Sequence, residues 1–172
     1  RKDETAPDGA IYRYYRGELR RLYPGLWVPN AICFSPDGAT ACWDDSHRKE
    51  IMRQSLDAEG WPEGAPEVFV DLKPEGLVPD GAVVDAAGHL WNAQWGAGRV
   101  AEYDAQGRFL RALSLPALHA TCPAFIGPEL SVLVCTSAQG GFAGTPGGPG
   151  PHGQTFRFDG LGPGLPEPPV AL

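Results

Sequence analysis

The chain has 172 residues, which is enough for one domain with its own core and does not call for two. Its net charge of −7 argues against nucleic-acid binding, because phosphate contacts need clustered Lys and Arg, and Arg20-Arg21 is too small a cluster. No run approaches the roughly 18 apolar residues of a membrane helix, and no apolar stretch follows the first four residues to form a signal peptide. We therefore expect a soluble, cytoplasmic protein without a nucleic-acid or membrane partner.

The first predicted element is a β-hairpin. Its strands are Ile11–Tyr15 and Arg20–Leu22, and the residues between them form the turn. Glu18 lies in this turn, where an exposed charge is expected.

Turn residues are frequent and spread along the whole chain. The 23 glycines and 18 prolines are about a quarter of the residues, roughly double ordinary usage. They separate short apolar runs, and no long segment keeps a helical period. The runs predicted as strands are Ala31–Phe34, Val68–Leu72, Ala82–Val84, Arg99–Tyr103 and Leu130–Thr136. This pattern favours an all-β protein.

Four cysteines lie in apolar, strand-like segments: Cys33, Cys42, Cys122 and Cys135. None has the CxxC spacing of a zinc or redox site. Cys33 and Cys42 could face each other across a hairpin, but we expect buried free thiols.

The chain resembles itself at a spacing of about 50 residues. Pro29–Gly38 lies over Pro79–Gly88 at a constant offset of 50, and Leu56–Gly60 lies over Tyr103–Gly107 at an offset of 47. A weaker third copy begins near Thr121. A period of about 40 to 50 residues with several short strands is typical of β-propeller blades, each of which needs neighbours to bury its faces. A β-sandwich is the alternative, and it would not require the internal match.

A tight turn stands at the same place in both clear copies, at Ser35–Gly38 and at Asp85–Gly88. Asp supplies a local hydrogen bond and Gly the positive φ that such turns use, so we interpret both as structural. An EF-hand calcium loop at Asp37 is not expected, because its alternating oxygen ligands and terminal glutamate are absent.

The repeat places Asn30 and Asp80 at the same position in two blades, at the start of the first strand of each. If that strand is the innermost one, the amide oxygen of Asn30 and the carboxylate of Asp80 converge on the central channel. Two hard oxygen donors suit Ca²⁺, Mg²⁺, Mn²⁺ or, less often, Zn²⁺. The alternative is that Asn and Asp after Pro only begin turns, which is their commonest role.

Three segments, in the right order, resemble motifs of the SMP-30/gluconolactonase/regucalcin family of metal-dependent lactone hydrolases. Val28–Gly38 is similar to the family's pNGiaFSPDG motif, and Val78–Val100 is similar to PDG…vDaeGnlWvAqwgggrV. Thr121–Ala138 resembles TcpaFgG…lyvTsA, and Phe156–Pro168 resembles the family's last strand and tail. The resemblance covers nearly the whole chain and implies part of a six-bladed β-propeller.

In that family the metal is held by a glutamate near the N-terminus, the asparagine of pNG and the aspartate of PDG. The resemblance therefore implies that Asn30 and Asp80 hold one divalent cation, Ca²⁺ before Zn²⁺, Mn²⁺ or Mg²⁺. It also implies that Asp80 is the general base that takes a proton from the water attacking the lactone. The glutamate-bearing strand and the segment with substrate-binding Arg and Asn residues have no match here, and Glu18 does not replace the glutamate.

Three residues are weaker candidates for substrate contact, namely Gln94, Trp95 and His119. His119 stands just before Thr121 near the predicted channel mouth, with a structural loop role as the alternative. For Trp95 the alternative is packing within a blade. No Ser or Cys has the sequence context of a nucleophile.

We interpret residues 1–172 as a single domain, an incomplete propeller of about three to three and a half blades that lacks the N-terminal blades. The expected function is metal-dependent hydrolysis of sugar lactones, with a small lactone as the partner. A non-catalytic metal-binding or interaction propeller is the alternative. Open blade faces at the ends of the arc predict self-association.

Overall fold

The structure is a computed structural model that describes residues 5–140 and 148–167. These residues form thirteen β-strands and no helix, as the sequence predicts. The described residues therefore include no helix that is long and apolar enough to pass through a membrane. The strands are β1 Gly9–Tyr15, β2 Glu18–Leu26, β3 Pro29–Phe34, β4 Thr40–Asp45, β5 Glu50–Ser55, β6 Glu67–Asp71, β7 Val78–Val84, β8 Leu90–Trp95, β9 Arg99–Tyr103, β10 Phe109–Ser114, β11 Ala120–Ile126, β12 Val132–Ser137 and β13 Thr155–Phe158.

The strands form four antiparallel sheets, and within each sheet every strand pairs with its neighbours in the chain. β3–β6 and β7–β10 are four-stranded sheets, while β11–β13 has three strands and β1–β2 has two. A propeller blade has four strands, so thirteen strands amount to about three and a quarter blades. The predicted incomplete propeller is confirmed.

The two repeated turns join the first and second strands of the four-stranded sheets, as expected. In Asp85–Gly88 the carboxylate oxygen Oδ1 of Asp85 accepts hydrogen bonds from the backbone N–H groups of Ala87 and His89, both at 2.9 Å. The final glycine has a φ of 82°, a left-handed conformation that other residues adopt at a penalty. These turns therefore serve the fold.

Apolar side chains fill the space between successive sheets. The core between β3–β6 and β7–β10 contains Cys33, Cys42, Ile51, Val70, Leu72, Val84, Leu90, Ala101 and Tyr103. A second core between β7–β10 and β11–β13 contains Trp91, Val100, Phe125, Leu133 and Cys135. A smaller core between β1–β2 and β3–β6 contains Ile11, Leu26 and Trp43. Burial on both faces explains why the strands of the middle blades are rich in apolar residues.

Successive residues of one strand face different cores, because side chains alternate across a sheet. Cys42 of β4 and Leu90 of β8 face the core between the two four-stranded sheets. Trp43 and Trp91, the next residues, face the cores on the outer sides of the same two sheets. This alternation fixes the direction of every other side chain in β4 and β8.

The first strand of each larger sheet is the innermost one. β3 contacts β7, β7 contacts β11, and residues of all three strands line a cavity of about 640 Å³ together with Leu165–Glu167. The strands approach closely at Gly81, where an added Cβ would lie 2.7 Å from Thr121 O and 2.9 Å from Cys122 Cα. Any side chain at residue 81 would therefore push β7 and β11 apart.

All four cysteines are free. Cys33 and Cys42 are direct partners in the β3–β4 ladder, and they are buried, as is Cys135. The expectation of burial was wrong for Cys122, which is exposed because it lines the cavity along the innermost strands.

One face of the β1–β2 sheet is open and aromatic. Tyr12, Tyr14 and Leu19 are 54%, 52% and 66% exposed, and Tyr14 pairs with Leu19 in the ladder, so they share this face. In a closed propeller another sheet would cover such a face.

Candidate functional site

The same irregularity occurs near the start of each innermost strand. The ladder register shifts at a β-bulge that includes Asn30 in β3, Asp80 in β7 and Thr121 in β11. A bulge leaves a residue unpaired and re-aims its side chain. Asn30, Asp80 and Thr121 therefore hold equivalent positions in three successive blades. The sequence comparison identified the first two as a pair, and its weak third copy was the available signal for Thr121.

The orientation of the Asn30 amide is fixed by Ser46. The Ser46 hydroxyl donates its single proton to Pro79 O at 2.6 Å, so it can only accept from Asn30. The Asn30 atom 2.9 Å away is therefore Nδ2, and Oδ1 is the atom that Ser46 does not engage. These two hydrogen bonds also link Asn30 to the residue before Asp80.

Asp80 is half-buried in the bulge of β7. Burial raises the pKa of its carboxyl from 3.8 to about 6, against the lowering effect of a hydrogen bond from the Gly81 N–H. At neutral pH the group is therefore mostly ionised while its affinity for a proton is close to that of an imidazole. Such a carboxylate can bind a cation and can also accept a proton from water.

The fold brings Asn30 and Asp80 to the same end of neighbouring innermost strands. The convergence of their side-chain oxygen atoms on the channel stays a prediction. A single shared cation, with the oxygen atoms roughly 3 to 5 Å apart for ligands at 2.3 to 2.6 Å, stays a prediction.

Two further oxygen-bearing residues lie beside Asp80, and sequence reasoning missed both. Asn92 of β8 donates its Nδ2 to Asp80 O at 3.1 Å. Asp44 of β4 is fully buried, and burial followed by the nearby Asp80 carboxylate raises its pKa to about 9. The available signal was a polar residue directly after a tryptophan in a strand-like run.

Trp95 and His119, two of the weaker substrate candidates, form a stacked pair. Their ring centroids are 4.4 Å apart, and their backbones form an isolated bridge. Trp95 pairs with Val78 at the start of β7, so the stack lies at the same end of the blade as Asp80.

Gln94, the third candidate, lies in the interior instead. It is fully buried, its amide nitrogen donates to Tyr103 Oη at 2.9 Å, and its amide oxygen accepts from Arg99 Nε. Both polar atoms of this amide are therefore engaged within the blade, which favours the other two candidates for contact with a substrate.

Asp85, His89 and Glu102 place one potential metal-ligand atom each within 4.8 Å of one another. His89 Nδ1 lies 2.8 Å from Glu102 Oε1, and Arg111 Nε donates to the other oxygen of Glu102. Asp85 Oδ2 accepts from Trp91 Nε1 at 2.9 Å. These hydrogen bonds tie the β7–β8 turn to β9 and β10, so the fold accounts for the group without an ion.

Glu18 lies at the start of β2, directly after the hairpin turn. It is exposed and forms a salt bridge to Arg20 at 2.5 Å. It is therefore exposed on the hairpin surface, as expected, although it lies in the strand and not in the turn.

Several known proteins are similar to this chain. The family model described as "SMP-30/Gluconolactonase/LRE-like region" matches residues 1–139. A Rhizobium meliloti protein is 41% identical over 154 residues, which are 87% of this chain and 52% of that protein. Pentonolactonase XacC of Haloferax volcanii is 33% identical over 156 residues, which are 88% of this chain and 54% of that protein.

The crystal structure of a calcium-binding protein, regucalcin, from Agrobacterium tumefaciens has the same fold. The TM-score is 0.90 at 38% sequence identity, and the match covers 99% of this chain and 59% of that one. The chain spans about half the length of the curated relatives it matches. Because the family model matches well over half of its residues, the chain belongs to the SMP-30/gluconolactonase/LRE-like family.

Proposed function

We propose that this chain is the C-terminal part of a metal-dependent hydrolase of sugar lactones, with gluconolactone-like substrates. The observation that carries the proposal is the pair of equivalent bulges that contain Asn30 and Asp80 at the same end of neighbouring innermost strands. Family membership supports the reaction class, as does the lactonase name of the Haloferax volcanii relative.

The donor atoms fit a hard divalent cation. Asn30 Oδ1 is oriented by the hydrogen bond from Nδ2 to Ser46, and Asp80 supplies a partly desolvated carboxylate. Ca²⁺ is our first choice, since the Agrobacterium tumefaciens structure is titled a calcium-binding protein, and Zn²⁺, Mn²⁺ and Mg²⁺ are the alternatives. When bound, such a cation polarises the carbonyl oxygen of a lactone.

Asp80 is the general base of the proposed reaction. Its carboxylate takes a proton from a water molecule as the water oxygen attacks the lactone carbonyl carbon. The bond between that carbon and the ring oxygen then breaks, and the ring oxygen receives the proton, which gives the open hydroxy acid. A pKa of about 6 suits this role, because the group is a free base at neutral pH and still binds a proton well.

The Trp95–His119 stack is the proposed contact for the sugar part of the substrate. It lies at the same end of the blade as Asp80 and offers an aromatic surface beside an imidazole. Aromatic rings pack against the apolar face of a ligand, while the imidazole can form a hydrogen bond.

We also place the protein in the cytoplasm. All four cysteines are free thiols, including Cys33 and Cys42, which are direct neighbours in a ladder. Free thiols in paired strand positions fit a reducing compartment.

A metal-binding propeller without catalysis is the second candidate. It is favoured by one observation, that the similar Agrobacterium tumefaciens structure is described as a calcium-binding protein. It predicts cation binding with no lactone turnover.

The test is to join this chain to the blades that complete the ring and to compare two variants. Asp80→Asn should abolish δ-gluconolactone hydrolysis, because it removes the base as well as a ligand. Asn30→Ala should weaken hydrolysis less and should recover with excess Ca²⁺, because it removes a ligand alone. Acid release above the spontaneous rate is measured with Ca²⁺, Mn²⁺ and Zn²⁺. Asp159→Asn, at an exposed carboxylate paired with Arg157, is the control for charge.

Two outcomes would count against the proposal. Equal losses in the two variants, both restored by excess metal, would show that Asp80 transfers no proton. No turnover by the unmodified protein, with cation binding intact, would favour the non-catalytic candidate.

A further inference from the structure

Three buried oxygen atoms beside Asp80 have no hydrogen-bond partner in the described part of the chain. They are Oδ1 and Oδ2 of Asp44 and Oδ1 of Asn92. Both side chains are fully buried, at 0% exposure. Buried polar atoms are almost always paired, so an unpartnered carboxylate and amide oxygen at one place require an explanation.

Strand alternation puts both side chains on faces that point toward the space between the two four-stranded sheets. Asp44 stands two residues after Cys42 in β4, and Asn92 stands two residues after Leu90 in β8. Cys42 and Leu90 both belong to the core between the two four-stranded sheets, so each side chain points toward the other sheet. Residues two apart in a strand share a face, so Asp44 and Asn92 continue that layer toward the bulge of β7.

The Asn92 oxygen is a true acceptor. Its Nδ2 donates to two backbone carbonyls, Asp80 O at 3.1 Å and Gly81 O at 3.3 Å, which no oxygen could do. The amide orientation is therefore fixed, and Oδ1 cannot be exchanged with Nδ2. With Asp44 ionised, the space thus holds three acceptor atoms and, among the described residues, no donor directed at them.

The surroundings add negative charge. Asp44 is coupled electrostatically to the carboxylates of Asp80 and Asp45. The Asp45 carboxylate has hydrogen-bond partners of its own, since it accepts hydrogen bonds from the backbone N–H groups of Trp27 and Val28, both at 3.0 Å. A buried carboxylate beside another needs a compensating positive charge or a proton.

We propose that Asp44 and Asn92 form a second cation site, which binds a hard divalent cation between the two blades and behind Asp80. Carboxylate and amide oxygens are the ligands that such cations prefer. The site is deeper than the Asn30–Asp80 position, because Asp44 and Asn92 are fully buried while Asn30 and Asp80 are partly exposed. The proposal concerns binding and does not depend on lactone hydrolysis.

The experiment is a Ca²⁺ titration of the chelator-treated 172-residue chain, followed by calorimetry and by native mass spectrometry for the number of ions bound per chain. The unmodified chain should bind two ions. Asp44→Asn should weaken the binding of the ion at the deeper site about 10- to 100-fold and leave the ion at the Asn30–Asp80 site unchanged. Asn30→Ala should weaken only the ion at the Asn30–Asp80 site. Asp159→Asn makes the same change of charge at an exposed residue directly after β13 and should bind like the unmodified chain.

A stability measurement keeps the test independent of the ion count. Ca²⁺ should still raise the melting temperature of Asn30→Ala, in which the deeper site is intact, and adding Asp44→Asn to that variant should remove the rise. If Asp44→Asn does not fold, Asn92→Ala serves instead, because it also removes one of the three oxygens. A single ion whose affinity is unchanged in Asp44→Asn would overturn the proposal, and so would a single ion weakened equally by Asp44→Asn and Asn30→Ala.

Discussion

Replacement of Asp44 by Asn should remove a dependence of stability on pH. Burial, then the nearby Asp80 and Asp45 carboxylates, raises the pKa of Asp44 from 3.8 to about 9 in the folded chain. Between these two values the folded, cation-free chain keeps a proton that the unfolded chain releases. The contribution of this proton to stability is therefore complete below about pH 4 and is lost as the pH rises toward 9.

The size of this pH dependence follows from the single proton that the folded chain holds and the unfolded chain releases. Each pH unit in that range lowers the free energy of unfolding by about 1.4 kcal/mol, so a change from pH 6.5 to pH 8.5 lowers it by about 2.7 kcal/mol. This window lies above the pKa of about 6 of Asp80, so Asp80 adds little to the change. Asp44 has no exposed surface, so solvent screening does not reduce the effect.

The assay is urea unfolding in the presence of EDTA, followed by tryptophan fluorescence at pH 6.5, 7.5 and 8.5. The difference in unfolding free energy between the original chain and Asp44→Asn should change by about 2.7 kcal/mol across this range, because other groups cancel in the difference. Excess Ca²⁺ should flatten the curve of the original chain, since a cation replaces the proton. Parallel curves for the two proteins in EDTA would refute the reasoning.

Three further predictions concern the fold around the site. Gly81→Ala should lower the free energy of unfolding by about 1–3 kcal/mol or more, because the added Cβ would lie 2.7 Å from Thr121 O. Urea unfolding measures this change, and an unchanged urea midpoint would contradict the close approach. Ser46→Ala should lower the free energy of unfolding by about 2 kcal/mol and weaken Ca²⁺ binding, because it removes the hydrogen bonds to Pro79 and Asn30. Ser46→Thr keeps the hydroxyl and should retain both the stability and the Ca²⁺ affinity. The chain by itself should elute in size-exclusion chromatography above its 18.4 kDa monomer mass, because the face with Tyr12 is open. It should hydrolyse no lactone, because its blades do not close a ring. A monodisperse monomer with metal-dependent turnover would contradict both expectations.

The repeat in the sequence favoured a propeller over a sandwich, and the propeller is confirmed. Blades are local units, in which each strand pairs with its neighbours in the chain, so the turns and apolar runs that define them lie within a short stretch of residues. The equivalence of Asn30 and Asp80 followed from the same alignment, because an offset of 50 residues relates the two copies. The third member of the set, Thr121, was harder to find, since its copy of the repeat matches the others weakly.

The sequence by itself thus determined the all-β class, the blade period, the family and the equivalence of Asn30 and Asp80. Which polar residues share a buried space was decided by the tertiary structure alone. Asp44 and Asn92 lie in the second strands of different blades, 48 residues apart in the sequence, and their burial depends on how two sheets face each other. Contacts within a blade can be predicted from a local pattern, whereas contacts between faces depend on the direction of each side chain, which a bulge or a shift in register changes.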